Sequence, residues 1–346
     1  MKEIKIGKLK IGENNPTVII AEIACQHNGN MRLAKRLIDA AKRSGADVAK
    51  FQLHIAEAEM VPDTIKFWGG SMDQILKRAQ FRTAEEHKEV KDYCKKMGIQ
   101  YLCTPFSVAA ADILEKIGVD AYKTGSGELT NLPMMRHIAK KGKPMIVSTG
   151  MSKMEEIADT VKVLKSEKAD FMLTHCLSEY PPKYEHMNLG LIKELEKRFG
   201  VFVGSSDHSV EINSAIAAVV LGAKVIEKHF TLADLHGPDD TVSLIPDKFK
   251  EMVDAIRKIE KALGSERLVS KEEQVVRNWA CHSVVATRDI KKGEVLSAND
   301  LTPKRPGWGI PAKYLDKLYS KKLLGKKAAK DMPKNSTLKW SDVKNA

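Results

Sequence analysis

Two histidines close two short apolar runs in the stretch 204–231, GSSDHSVEINSAIAAVVLGAKVIEKHFT: His208 follows Asp207, and His229 follows Glu227 and Lys228. A small Ala/Val/Leu-rich helical pattern lies between them. Strand, polar tip, helix, strand, polar tip describes a βαβ unit, which brings both imidazoles to one edge of a parallel sheet. Neutral imidazoles on adjacent strand ends can share a divalent metal. A lone histidine there is more often a satisfied hydrogen-bonding group, and it is the repetition that favours the metal.

Other apolar runs end in the same fashion, each with a chemical group: Glu22, Lys50 with Gln52, Thr104, Lys123 with Ser126 and Glu128, Ser148 with Thr149, His175, and Ser206 with Asp207. Lys50 and Lys123 with the hydroxyls of Thr104, Ser126, Ser148 and Ser206 make a nest for a phosphate or carboxylate dianion. Lys123, in YKTGSGE, is alternatively a Schiff-base lysine. A second lysine and a histidine pair argue against that alternative, since metal-assisted and imine chemistry are different solutions to one problem. Glu22 and Glu128 supply carboxylates for sugar hydroxyls or proton transfer.

The elements that must position these groups are TVIIAEIA, DVAKFQ, IQYLCTPF, DAYKTGS, KPMIVSTG, DFMLTHC, VFVGSS and AKVIEKH, read as eight strands. Amphipathic helical segments, several with Gly near their end, separate most of them. Helices are expected over 31–44 and 83–96. About eight strand and helix repeats within about 265 residues, with strands that are near-continuous apolar runs, predict a (β/α)8 TIM barrel. A doubly wound open sheet is the alternative. In a barrel the strand ends converge on one mouth, where barrel active sites sit. EIKIGKLKIG reads as an amphipathic hairpin that caps something, and PDTIKFWGGSMDQILKRAQF after the second strand as a long insertion.

The chain has 346 residues, of which 43% are hydrophobic and 29% charged, enough for a large domain plus a small one. Net charge is +12 and the pI near 9.2. The lysines are spread along amphipathic stretches and aromatics make up only 6%, which argues against nucleic acid and for a small anionic substrate. Five cysteines, Cys25, Cys94, Cys103, Cys176 and Cys281, show no paired spacing, as expected in a reducing compartment. With no apolar run of membrane-spanning length and no signal-like N-terminus, the protein is expected in the cytoplasm, without membrane or nucleic-acid partners. The barrel is expected over 1–265 and a connecting segment over 266–280. From 281 to 346 the composition shifts to short strands, tight turns at KKGE and PKNS, and the Pro/Gly-rich loop RPGWGIP. That is a second, mostly β domain, and Arg305 and Trp308 in its loop would make a lid for an anionic sugar.

AEIACQHNG, AKFQ, CTPF, YKTGSGELTNLP, IVSTGM, HCLSEYP, GSSDHS, VIEKHFTL, GPDDTVSL and RPGWGIP, in that order over essentially the whole chain, resemble the sialic acid synthase (NeuB) family. The resemblance implies a (β/α)8 barrel followed by a small antifreeze-like (SAF) domain, in a homodimer whose SAF domains swap to cover the partner's barrel mouth. It implies condensation of phosphoenolpyruvate with an N-acetylmannosamine-type sugar to give a nine-carbon 2-keto acid, N-acetylneuraminate, and phosphate. Legionaminate or pseudaminate synthesis from a 2,4-diacetamido-2,4,6-trideoxyhexose is the alternative. The same resemblance puts a divalent cation, Mn2+ or Mg2+, on His208 and His229. It assigns phosphoenolpyruvate to Lys50, Thr104, Lys123, Ser126, Ser148, Ser178, Ser206 and His208. Gln52, Tyr180, Asp239 or Asp240, and Arg305 of the partner subunit fall near the sugar, with Glu22 as the proton-handling candidate. CLSEYP departs from the pattern, carrying Ser178 where sialic acid synthases often have Asn. HNG at 27–29 and GPDD at 237–240 lean towards the sialic or legionaminic branch. The insertion around Trp68 and Gly69 carries nothing that points to a particular sugar. A binding protein built on an inactive barrel is a further alternative, against which His208, His229, Lys50 and Lys123 all count.

Overall fold

The computed structural model describes residues 1–61, 81, 83–237 and 239–344. The insertion anticipated after the second strand, with Trp68 and Gly69, lies outside the described residues apart from Phe81, as does Pro238 of GPDD. The chain divides into two compact units, Met1–Gly264 and Ser265–Ala346.

The first unit begins with a hairpin, β1 (Ile4–Ile6) against β2 (Leu9–Ile11), and continues through β3 (Val18–Ala24), β4 (Val48–Leu53), β5 (Gln100–Pro105), β6 (Tyr122–Thr124), β7 (Met145–Ser148), β8 (Phe171–Cys176), β9 (Val203–Asp207) and β10 (Val225–His229). Among the described residues β3 to β10 form one eight-stranded sheet, ordered β5-β4-β3-β10-β9-β8-β7-β6, with parallel pairing along it. The end strands β5 and β6 pack against each other, so the sheet curls into a nearly closed barrel.

Helices connect the strands, and their ends follow local chemistry. Asn30 caps Met31–Arg43 by accepting from the N–H groups of Arg32 and Leu33. Thr83 and Glu86 form a reciprocal capping box at the start of Ala84–Met97, which ends at Gly98 in the left-handed conformation, φ 67°.

The barrel wall has two apolar faces, as the two-residue period of a strand dictates. Ile19, Ala21, Ile23, Ala49, Phe51, Leu173 and Ile226 face the helices and build the main core with them. Val18, Ile20, Val48, Leu102, Ile146, Met172, Phe202 and Val225 face inward. Ile4, Ile6 and Ile11 join that inner cluster, so the N-terminal hairpin plugs the bottom of the barrel. Gly204 is required where β9 approaches β10: a Cβ there would stand 2.6 Å from the Val225 carbonyl oxygen.

The second unit holds the antiparallel pair Ser283–Ala286 with Leu301–Lys304, the short pair Lys327–Ala328 with Val343–Lys344, and several 3-10 turns. Val284, Ile290, Leu296, Ile310, Leu323 and Leu338 form its own core. The stretch expected to be a connecting segment contains a helix, Lys271–Ala280, capped by Ser270 accepting from the N–H of Glu273. It buries no residue of its own unit and leaves Val275, Val276 and Trp279 exposed, although their i, i+1, i+4 spacing puts them on one face of the helix.

Candidate active site

The period that builds the inner core also aims the chemistry. Continuing each strand upward by two residues from its inner apolar positions gives Glu22 on β3, Lys50 and Gln52 on β4, Thr104 on β5, Lys123 on β6, Ser148 on β7, Cys176 on β8, Ser206 and then His208 on β9, and Glu227 and His229 on β10. All of these line one cavity of about 650 Å³ at the C-terminal mouth, joined by Ser126, Glu128, Ser178 and Tyr180 from the loops above.

A buried chain of charge runs across its floor. Glu22 and Lys50 are opposite each other in the β3–β4 ladder and form an ion pair. The Lys50 ammonium also lies 3.0 Å from Glu227 Oε1, which is 3.7 Å from the Lys123 ammonium. Ser206 donates to the same Glu227 oxygen at 2.9 Å, while Glu227 Oε2 is buried without a hydrogen-bond partner. Burial pushes the Glu227 carboxyl up, but Lys123 and Lys50 together outweigh it and hold the group ionised. Burial brings Lys50 down from 10.5 to about 8, against the pull of Glu227. Lys123 donates to Ser148 Oγ at 2.8 Å and to the Thr124 carbonyl at 3.0 Å. Lys50 reaches Thr104 Oγ1 at 3.4 Å, and Gln52 reaches Glu22 Oε1 at 3.5 Å.

Opposite stand the imidazoles. The His208 and His229 ring centroids are 5.4 Å apart, and Tyr180 stacks on His208 at 4.1 Å. His208 Nδ1 donates to the Leu177 carbonyl at 2.7 Å, which turns Nε2 to the cavity as the acceptor of a neutral ring. Burial lowers both histidines, His229 the further because His208 and Lys50 add to it. His229 Nδ1 is buried without a hydrogen-bond partner, and Asp239 Oδ2 stands 3.6 Å away. Burial, then Asp240, raises the Asp239 carboxyl. Among the described residues no three His, Cys, Asp or Glu side chains converge as a ready-made metal cluster. The donors on offer are two neutral imidazoles with the Asp239 carboxylate beside one of them.

Several predicted strand-end groups fall elsewhere. His175, Asp207 and Lys228 have the opposite parity and face outward: His175 bonds the Met187 carbonyl at 2.7 Å, and Lys228 pairs with Asp207 at 2.8 Å. Thr149 bonds the Thr174 carbonyl instead of facing the cavity. Asp239 and Asp240 are both outside the lining, and Asp240 accepts from Gln26 Nε2 at 3.2 Å. Arg305 belongs to the second unit, where its guanidinium stacks 5.4 Å over Trp279 and donates to the Ala280 carbonyl. Glu227 was not among the candidate site residues; its signal was the shared parity with His229. The sequence also missed a wall made by His54, Glu59, Met60, Phe106 and Met151. His54 stacks on Phe106 at 3.8 Å and bonds Glu59 at 2.8 Å. Glu128 joins that side, raised by burial, with Oε2 unpartnered.

Residues 37–268 match the NeuB family, and residues 282–344 match the SAF domain. The chain belongs to the NeuB family. The enzymes of this family are phosphoenolpyruvate-condensing nonulosonate synthases, and this chain is one of them. It is 39% identical to N,N'-diacetyllegionaminic acid synthase of Campylobacter jejuni, over 93% of this chain and 99% of that one. To a pseudaminic acid synthase of the same species it is 36% identical, over 94% and 96%. The crystal structure of N-acetylneuraminic acid synthetase from Leptospira borgpetersenii, in complex with citrate, superposes with a TM-score of 0.72 at 33% identity, covering 80% of this chain and 95% of that one. No described helix is long and apolar enough to cross a membrane.

Proposed function

We propose that this NeuB-family chain condenses phosphoenolpyruvate with an N-acetylmannosamine-type aldehyde to give a nine-carbon 2-keto acid, N-acetylneuraminate, and phosphate. The observation that carries this reading is the pair of buried lysines sharing the Glu227 carboxylate beside a ring of hydroxyls, across the cavity from two neutral imidazoles. Lys50 and Lys123 bring two cationic charges to a phosphate, and Thr104, Ser126, Ser148, Ser178 and Ser206 bring hydroxyl donors. With Glu22 and Glu227 between them, the lysines are held in place without substrate.

His208 and His229 fit a divalent cation such as Mn2+ or Mg2+. Both are neutral and one has a buried unpartnered Nδ1, and the Asp239 carboxylate stands 3.6 Å from that nitrogen, so these residues would hold such a cation. When bound there, such a cation supplies Lewis acidity at the sugar aldehyde. C3 of phosphoenolpyruvate attacks the aldehyde carbon, the aldehyde oxygen takes up a proton, and water adds to the C2 cation. The resulting tetrahedral centre loses phosphate by C–O cleavage, leaving the 2-keto group. Glu22, fixed by Lys50 and Gln52 beside His229, is the residue proposed to carry the proton to or from these oxygens. Tyr180, Gln52 and Glu128 bound the space for the sugar, and Asp239 stands behind His229. Arg305 is proposed to reach a mouth from a swapped partner subunit, and Arg305→Ala is expected to raise the sugar KM.

The identity to the legionaminic acid synthase and the apolar Met60, Phe106 and Met151 on the sugar side support a second reading, in which the acceptor is a 2,4-diacetamido-2,4,6-trideoxyhexose with a C6 methyl. Phosphate release from phosphoenolpyruvate decides between them when measured with N-acetylmannosamine, its 6-phosphate and the diacetamido sugars. Release with none of them overturns the proposal, and trapping by borohydride at Lys123 would replace it with imine chemistry.

A further inference from the structure

The mechanism leaves one buried cation without a task. Lys228 is 0% exposed and lies on the outer side of the barrel wall. Its ammonium donates to Asp207 Oδ2 at 2.8 Å, Ser209 Oγ at 2.8 Å, the Glu211 carbonyl at 2.9 Å and the Ser209 carbonyl. Asp207 accepts in addition from the Ser209 N–H at 2.8 Å, Ser209 Oγ at 3.1 Å and Ser214 Oγ at 2.6 Å. A buried ion pair is weak evidence for stability, because well-packed apolar side chains of the same size often serve as well or better. What apolar side chains cannot supply is direction: these bonds fix the backbone of the turn that follows β9.

That turn carries His208. In the β9–β10 ladder Glu227 stands opposite Ser206 and Lys228 opposite Asp207. One step further in the same register come the two histidines. His208 thus lies between Asp207 and Ser209, both gripped by one ammonium, and His229 follows the residue that bears that ammonium. On the inner face the His208 ring is hydrogen-bonded to the Leu177 carbonyl. The backbone positions from which the two imidazoles project are therefore held from the outer side of the wall, while Leu177 and Tyr180 orient the His208 ring on the inner side.

We infer that Lys228, with Asp207, is a positioning residue that fixes the spacing of His208 and His229 and so sets their affinity for a divalent cation. This rests on the reading that the two histidines share such a cation. The test titrates the full-length, metal-free protein with Mn2+, following free Mn2+ by electron paramagnetic resonance. Lys228→Met is expected to weaken binding about 10- to 100-fold, the range for residues that orient metal ligands. Affinity for phosphoenolpyruvate without metal stays at the wild-type value, and excess Mn2+ restores turnover. Ser214→Ala, which removes a single bond to Asp207, weakens binding less, and Lys228→Arg restores part of the loss. A lowered melting temperature with unchanged Mn2+ affinity in Lys228→Met gives the ion pair a purely stabilising role and overturns the inference. If Lys228→Met does not fold, Ser214→Ala decides by the same titration. Wild-type protein that binds no Mn2+, or His208→Ala that binds it as wild type does, removes the two-histidine reading itself, and that result precedes any comparison of the Lys228 variants.

Discussion

The Lys50 ammonium and the Glu227 carboxylate lie 3.0 Å apart at the barrel mouth, both almost wholly excluded from water. Burial outweighs the carboxylate's pull and leaves Lys50 at about 8, below its ordinary 10.5. A lysine is cationic below its pKa and neutral above it, so its grip on a phosphate is present below about pH 8 and lost above. The kcat/KM for phosphoenolpyruvate, which reports the free enzyme, is expected to fall as pH rises through about 8. A profile flat to pH 10 would remove Lys50 from phosphate binding.

Glu227→Gln keeps the side-chain size and an oxygen for the Ser206 hydroxyl but removes the charge shared by Lys50 and Lys123. Two ammonium groups then face each other in a buried site. The midpoint set by Lys50 is expected to move down by on the order of one pH unit, since a like charge disfavours the charged form. Unfolding free energy is expected to drop by about 3 kcal/mol, as when one partner of a buried pair is removed. Denaturant melts and the kcat/KM profile measure the two effects separately.

Chelation tests the histidines. EDTA is expected to abolish phosphate release, and Mn2+ or Mg2+ to restore it. His229→Ala is expected to lose turnover by on the order of 10³-fold or more without recovery on adding metal, because His208 is then the one imidazole left of the pair. Metal-dependent turnover near wild type in His229→Ala would sink the assignment.

The barrel was legible because parallel strands buried on both faces read as apolar runs and each one ends in a polar group. Parity decided which of those groups matter. His229 and Glu227 share one face of β10 while Lys228 takes the other, so a list of strand-end residues that ignored alternation set His175, Asp207 and Lys228 beside Glu227 with nothing to rank Glu227 above them. His54 and Phe106 continue the inner parity of β4 and β5 two residues beyond Gln52 and Thr104, so alternation carried past the last ladder pair would have found them; Glu59, which reaches His54 from the short turn that follows, has no such period. The helix at Lys271–Ala280 is legible from Ser270 with Glu273 three residues on and from the face shared by Val275, Val276 and Trp279, signals that reading a connecting segment there passes over.

The hairpin that caps the barrel bottom separates stability from chemistry. Ile6 is buried among Val18, Ile20, Val48, Phe202 and Val225, at the end of the barrel remote from Lys50 and His229. Truncation to alanine removes three methyl or methylene groups and leaves a cavity in an inner layer that the surrounding strands cannot close without breaking their ladders. Ile6→Ala is expected to cost about 2–5 kcal/mol. For a unit of this size each kcal/mol lowers Tm by about 2–4 °C, so the melt should move down by several degrees. Below that melt, kcat and both KM values should stay within about twofold of wild type, because the inner layer is filled by rigid branched side chains and the Glu22, Lys50 and Glu227 network hangs from the opposite end of the same strands. A large loss of kcat at full folding would show that packing at the bottom of the barrel sets the register of the mouth, and the plug would then belong to the catalytic geometry.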